Sequence, residues 1–317
     1  MITISPSQMR SMGCRQKWQW QYRDGYRAIM PNHNLEFGSG IHAALEYYYT
    51  QVFGEDHSDL SQFFSNWMDL KIESINSKFD DEVEKFHDLK DLGVTMLDGY
   101  RKEYEGKEEA EFEVLATEKT LKRRLPLPIP GTDRMSKCWV IVRLDGIVRC
   151  LKTNKLFSLE HKTFKRFAPK EIENDQQFTA QMWVGQSYAD SCGLDEPLAG
   201  VIYNGLRKQR PGPRVKVPLF ERHKVYRNEH EVQAFLYRAY WQYRESKHWK
   251  IFAEPTTLGC SQCDFNEPCL EKMRGGDYQF LLNHNYTKRK DKKTRSPFSS
   301  SEKGKNEVKH GKSKSKT

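Results

Sequence analysis

Trp139-Val140-Ile141-Val142-Arg143-Leu144-Asp145-Gly146-Ile147-Val148 is an apolar run broken by one carboxylate, and Leu156-Phe157-Ser158-Leu159-Glu160-His161-Lys162-Thr163 follows it beyond the turn-forming Lys152-Thr153-Asn154-Lys155. Both runs read as strands, and the turn makes them a hairpin. A carboxylate inside such a strand costs several kcal/mol unless a cation answers it. Glu160 and Lys162 stand two residues apart, hence on one face of their strand, and the hairpin sets that face beside Asp145. Two carboxylates offering oxygen ligands suit Mg²⁺ or Mn²⁺. A neighbouring lysine can orient or deprotonate a water, or stabilise charge on a phosphorane. The competing reading is a plain surface pair of Glu160 with Lys162.

Working outward, residues 113–121 alternate as a further strand, residues 198–207 read as another, and residues 215–220 read as an edge strand behind Pro211-Gly212-Pro213. Helical spacing covers residues 171–190 and 228–247. Towards the N-terminus, Ser5 and Pro6 have the chemistry of a cap and a first helical position, opening a helix that carries Cys14, Trp18 and Tyr22. After a break at residues 31–34 and the glycines Gly38 and Gly40, residues 41–52 form a helix on which His42 and Glu46 lie one turn apart. Residues 60–109 keep helical spacing and read as an insertion, bounded at about 55–110. The pattern predicts an α/β fold, a sheet with helices on both faces.

The 317 residues carry a net charge of +9, but residues 287–317 alone hold 12 Lys/Arg against 3 Asp/Glu, so residues 1–286 are neutral. That division predicts one folded domain over residues 1–286 and a disordered basic tail over 287–317, where Phe298 and Val308 are the apolar anchors. The sequence contains no run of about 18 apolar residues that could span a membrane, and its polar opening lacks the apolar stretch of a secretion signal. These features predict an intracellular protein, cytoplasmic or nucleoid-associated. The seven cysteines do not form a secreted disulfide framework. Cys260, Cys263 and Cys269 fall within ten residues and suggest a metal site, either structural zinc or an iron–sulfur cluster, both of which as a rule need a fourth thiolate. Cys14, on a polar helix face beside Arg15 and Lys17, is the better candidate; Cys138, Cys150 and Cys192 read as core cysteines.

Together these motifs resemble the PD-(D/E)XK nuclease superfamily, specifically its RecB-like branch with an iron–sulfur staple, as in AddB-type helicase–nuclease subunits and CRISPR-adaptation exonucleases. The resemblance covers about residues 2–272 and rests on Ser5-Pro6-Ser7-Gln8 with Cys14, on Gly38-Ser39-Gly40-Ile41-His42-Ala43-Ala44-Leu45-Glu46, on Leu144-Asp145-Gly146, on Glu160-His161-Lys162 and on C-x-x-C-x5-C from Cys260. It implies a restriction-endonuclease-like mixed central sheet. It also implies that His42, Asp145 and Glu160 hold Mg²⁺ or Mn²⁺ with help from the His161 carbonyl, that Lys162 is catalytic, and that Cys14, Cys260, Cys263 and Cys269 carry a [4Fe-4S] cluster. The family's catalytic glutamine falls on Gln177 or on Gln181, since its Q-x-x-x-Y pattern is not kept here.

The activity so implied is metal-dependent hydrolysis of DNA, by an exonuclease acting in recombination, repair or end-processing on single strands or duplex ends. Candidate phosphate contacts are Lys165 and Arg166 beyond the active strand, and Arg207, Lys208 and Arg210 beyond the central one. No G-x-x-x-x-G-K-[S/T] motif occurs, so ATP-driven unwinding would fall to a helicase or recombination partner. Two other readings share the sequence: a nucleic-acid-binding protein with a structural cysteine–metal site and no cleavage activity, and a zinc-ribbon-type interaction protein.

Overall fold

The computed structural model describes residues 2–30, 32–51, 60–74, 80–107, 111–129, 131–194 and 196–289. Strand β1 (Ile2–Ile4) leads into helices α1 (Pro6–Ser11) and α2 (Arg15–Trp18), a π-helical turn (Gln19–Arg23) and strand β2 (Tyr26–Ala28). Three helices follow, α3 (His33–Gln51), α4 (Leu60–Glu73) and α5 (Asp80–Tyr104). The strands β3 (Phe112–Pro126), β4 (Met135–Cys150) and β5 (Lys155–Phe164) form a meander, and helices α6 (Pro169–Asn174) and α7 (Gln176–Ser191) return the chain to β6 (Leu198–Arg207) and β7 (Phe220–Tyr226). The chain then forms α8 (Glu229–Ser246), α9 (Thr257–Ser261), α10 (Asn266–Met273), α11 (Tyr278–Asn285) and β8 (Tyr286–Lys288).

The central sheet is mixed, running β1-β4-β5-β6-β7 with β3 along the other edge of β4. On one face α3, α4 and α5 bury Phe37, Leu45, Phe64 and Leu97 against Phe157, Ile202 and Leu206. On the other, α7 and α8 bury Val184, Phe235 and Tyr240 against Val140, Val142 and Leu144. This is the sheet with helices on both faces that the sequence predicts, and its mixed strand order is consistent with a restriction-endonuclease-like fold.

Several boundaries differ from the sequence reading, each for a local reason. Gly38 and Gly40 lie inside α3 rather than before it, because a Cβ on Gly40 would come within 2.9 Å of the rings of Phe64 and Trp67. The glycine is there for close helix packing, which offsets its cost of about 1 kcal/mol in helix propensity. The predicted helix over residues 171–190 breaks at Asp175, whose extended backbone and side-chain acceptance from the Gln177 N–H start α7 afresh. The edge strand begins at Phe220 rather than ending there, since Pro218 has no N–H to give to a ladder. Thr287 and Lys288, read as tail, pair with Arg27 and Tyr26. Residues 290–317 lie outside the described residues, as do residues 52–59, 75–79 and 108–110 of the helical insertion.

Candidate active site

The site lies where one edge of β4 changes partner. Residues Ile2 to Ile4 of β1 pair with Cys138 to Val140, and β5 pairs with Gly146 to Cys150. Residues 141–145 between them have no strand partner on that edge among the described residues: the β4–β5 ladder ends at Gly146 and Leu159, while β5 runs on to Phe164 paired with β6 on its other edge. The gap needs an acceptor. Asp145 supplies it: its Oδ2 accepts the His161 N–H at 2.7 Å. A side chain thus does the work of a missing ladder carbonyl, and the carboxylate is fixed at the fork.

Helix α3 brings His42 to this fork, Nδ1 at 3.2 Å from the same Asp145 oxygen. Burial alone would lift the Asp145 carboxyl, but the charge and hydrogen bond of His42 and the His161 N–H outweigh it and hold the group at about 2. Reciprocally, burial pulls His42 down while Asp145 and Glu160 raise it above the ordinary histidine value. Glu160 is 2% exposed. Its oxygens pair with Lys162 and accept from Gln177 Nε2 at 2.7 Å and from Gln181 Nε2. Burial pushes the Glu160 carboxyl up against the pull of Lys162, and the lysine in turn is held protonated by that carboxylate. Both glutamines left open by the sequence therefore reach the same acid from successive turns of α7.

A further carboxylate completes the cluster. Glu118 in β3 has φ 43°, in the left-handed region that a glutamate rarely adopts. This conformation brings its carboxylate to the Asp145 side of the sheet, where Arg143 pairs with it and burial lifts it to about 7. Among the described residues, the ligand atoms of His42, Glu118 and Asp145 all lie within 4.8 Å of one another. This hard nitrogen-and-oxygen set fits a divalent cation such as Mg²⁺ or Mn²⁺. Sequence reasoning missed Glu118 because alternation along β3 says nothing of a positive φ; its place opposite Asp145 emerges from the strand register.

Behind the fork, His161 turns its ring into the core, where burial lowers its pKa to about 4. Its Nδ1 lies 2.9 Å from Asn204 Nδ2, whose amide also donates to Tyr100 at 2.8 Å and whose Oδ1 accepts from Arg222 Nε at 3.1 Å. Because the arginine can only donate, it fixes the amide orientation. His161 must then accept at Nδ1 and carry its proton on Nε2. Tyr49 stacks on the ring at 5.2 Å and meets Tyr100 hydroxyl to hydroxyl at 2.8 Å.

The basic residues sort themselves by the parallel pairing of β5 with β6. Phe164 stands opposite Arg207, so Lys165 and Arg166 emerge beside Lys208 and Arg210, at the C-terminal ends of two parallel strands. Lys208 is pushed down by burial and by Lys165. Arg166 is exposed and 3.6 Å from Glu171. Arg207 differs from its sequence reading as a phosphate contact: it is 9% exposed and donates to the carbonyls of Pro218 and Lys165. Its guanidinium serves the loop.

Cys14, Cys260, Cys263 and Cys269, separated by up to 255 residues, line one cavity of about 1030 Å³. Burial raises the Cys263 and Cys269 thiols, and the neighbouring thiols raise them further. Cys138 and Cys150 are buried, as core cysteines should be, whereas Cys192 is exposed at the end of α7.

Compared with protein families, residues 3–270 match the PD-(D/E)XK nuclease superfamily. No curated protein matches the chain. Among the described residues, no helix is long and apolar enough to cross a membrane.

Proposed function

Since the chain belongs to the PD-(D/E)XK nuclease superfamily, a family of metal-dependent nucleases, we propose that it is a deoxyribonuclease of the RecB-like branch that hydrolyses DNA from single-stranded or duplex ends. The observation that carries this reading is the fork itself, where the ligand atoms of His42, Glu118 and Asp145 gather within 4.8 Å of one another beside the buried pair of Glu160 with Lys162. His42, Asp145 and Glu160 would hold the cation with the His161 carbonyl, and Glu118 adds a fourth side chain to the set. A bound divalent ion supplies a water activated near neutral pH and charge neutralisation at the scissile phosphate.

The chain's own groups do the remaining work. Gln177 and Gln181 hold Glu160 in place with two amide donors. Lys162, protonated beside Glu160, presents its ammonium to the developing negative charge and orients the attacking water. Lys165, Arg166, Lys208 and Arg210 form a cationic margin for the phosphate backbone. Expected products carry a 5′-phosphate and a 3′-hydroxyl, as in recombination or end-processing alongside a helicase.

The four cysteines fit a [4Fe-4S] cluster in their donor chemistry and in the cavity they share. Such a cluster would tie α2 to the segment from α9 to α10.

End-labelled single- and double-stranded DNA, incubated with and without Mn²⁺ or Mg²⁺, tests the activity. Metal-dependent shortening that is lost in Asp145→Ala supports it. Intact substrate under every condition, with DNA still bound, would leave the non-cleaving DNA-binding reading.

A further inference from the structure

Strand β6 brings one more polar group to the face of the sheet that carries Glu160 and Lys162. In the parallel ladder Glu160 stands opposite Tyr203 and Lys162 opposite Gly205, and residues opposite one another in register share a face. His161 and Asn204 alternate with them and meet on the other face at 2.9 Å. Tyr203 therefore stands with Glu160 and Lys162 towards α7, where its ring meets that of Phe178 at 72°.

The ring has a set position. Phe164, Phe167 and Phe178 surround it with centroids 6.4, 6.1 and 6.3 Å away, within the range of favourable aromatic pairs. It leans along the strand over Gly205: a Cβ on that glycine would lie 2.5 Å from Tyr203 Cε1 and 2.7 Å from Phe164 Cε1. Because Gly205 is the ladder partner of Lys162, the ring carries its hydroxyl towards the lysine and the ends of β5 and β6.

What the hydroxyl lacks is a partner. Tyr203 is 6% exposed, yet its hydroxyl makes no hydrogen bond among the described residues and is not one of the orphan polar atoms sealed from solvent. A tyrosine buried to this extent usually satisfies its hydroxyl, as Tyr49 and Tyr100 do with each other. The three phenylalanines offer Tyr203 no acceptor. A phenol held by its ring donates one hydrogen bond without reorganising, and beside an ammonium the matching acceptor is an anionic oxygen.

We propose that Tyr203 is a further substrate-contacting residue, whose hydroxyl donates to a non-bridging oxygen of the scissile phosphate beside Lys162. The hydroxyl keeps its proton: water attacks phosphorus and the 3′-oxygen leaves, while phenol and ammonium share the charge that gathers on the phosphoryl oxygens. The inference rests on the nuclease reading.

Tyr203→Phe tests it, since it removes the hydroxyl and keeps the ring among its neighbours. The full chain, wild type and variant, is compared in equilibrium binding of a single-stranded oligothymidylate in EDTA and in single-turnover cleavage of the same strand at saturating Mn²⁺. The variant should bind about two- to tenfold more weakly, the range of one hydrogen bond. Cleavage should slow by a further factor of about 10–100, because the contacted oxygen gains charge in the transition state. Melting temperature and Mn²⁺ affinity should stay at wild-type values; a fall in both would assign the residue a structural role and overturn the proposal. Equal binding and equal rates would also overturn it, as would weaker binding with a wild-type rate, which places the hydroxyl away from the reacting phosphate. Should wild type bind the strand and never cleave it, the nuclease reading falls, and the phosphate contact stands or falls separately with the loss of binding in the variant. No binding by wild type would overturn both.

Discussion

Protonating His161 should unlock the fork, and the cost can be worked from its burial. The ring is 1% exposed and its pKa is lowered to about 4, whereas an unfolded histidine titrates near 6.5. A histidine kept neutral by folding contributes stability that is fully present above pH 6.5 and is lost as the pH falls towards 4, because only the unfolded chain takes up the proton in that window. The gap of about 2.5 pH units, at about 1.36 kcal/mol each, makes the full loss roughly 3 kcal/mol, with most of it gone by pH 4.5. His42 acts with the opposite sign, since its raised pKa adds stability below 6.5 that fades at higher pH. Asp145, held at about 2, loses its contribution only below about pH 3.8. Comparing wild type with His161→Gln therefore isolates the buried ring: glutamine does not titrate and can still accept from Asn204. Urea unfolding followed by tryptophan fluorescence in EDTA, from pH 7.5 to 4.5, should show wild type losing about 2–3 kcal/mol more than the variant. Parallel stability profiles for the two proteins would refute the argument that Asn204 and Arg222 hold a neutral imidazole behind the site.

Anaerobically purified protein should be brown and hold close to four iron atoms per chain, and Cys14→Ser or Cys260→Ser should bleach it; colourless protein with one zinc would overturn the cluster. Removing residues 290–317, which hold 10 Lys/Arg against 3 Asp/Glu, should flatten the salt dependence of DNA binding, and an unchanged slope would mean that the segment takes no part. Gly93→Ala should lower the melting temperature, because its Cβ would lie 2.2 Å from Phe64 Cε1; a cost of about 1–3 kcal/mol is usual for such overpacking, and an unshifted melt would contradict the tight α4–α5 contact.

The hairpin carrying Asp145, Glu160 and Lys162 was legible because strand alternation is a two-residue pattern, and a carboxylate that breaks an apolar run stands out in it. His42 was legible as a helix position one turn from Glu46. What the sequence hid is three-dimensional in origin. Glu118 reaches the site through an unusual backbone angle. Asn204, Tyr100 and Arg222 meet behind His161 from three elements up to 122 residues apart, and nothing local marks them as partners. Arg207 looked like its basic neighbours, yet the strand ending at that residue turns its guanidinium towards loop carbonyls. Gly40 looked like a helix breaker until the rings of α4 gave it a packing role.

The central claim is that Asp145 and its neighbours hold a cation while Lys162 acts on the chemistry. The most direct measurement is single-turnover cleavage of end-labelled DNA at saturating Mn²⁺, with Mn²⁺ binding measured on the same proteins, for wild type, Lys162→Ala and Asp145→Ala. Lys162→Ala should bind Mn²⁺ close to normally and cleave on the order of 10²–10⁴ times more slowly, whereas Asp145→Ala should lose both metal and cleavage. Wild-type cleavage rates in Lys162→Ala would contradict the account and leave Lys162 and Glu160 as a buried pair with a structural role alone.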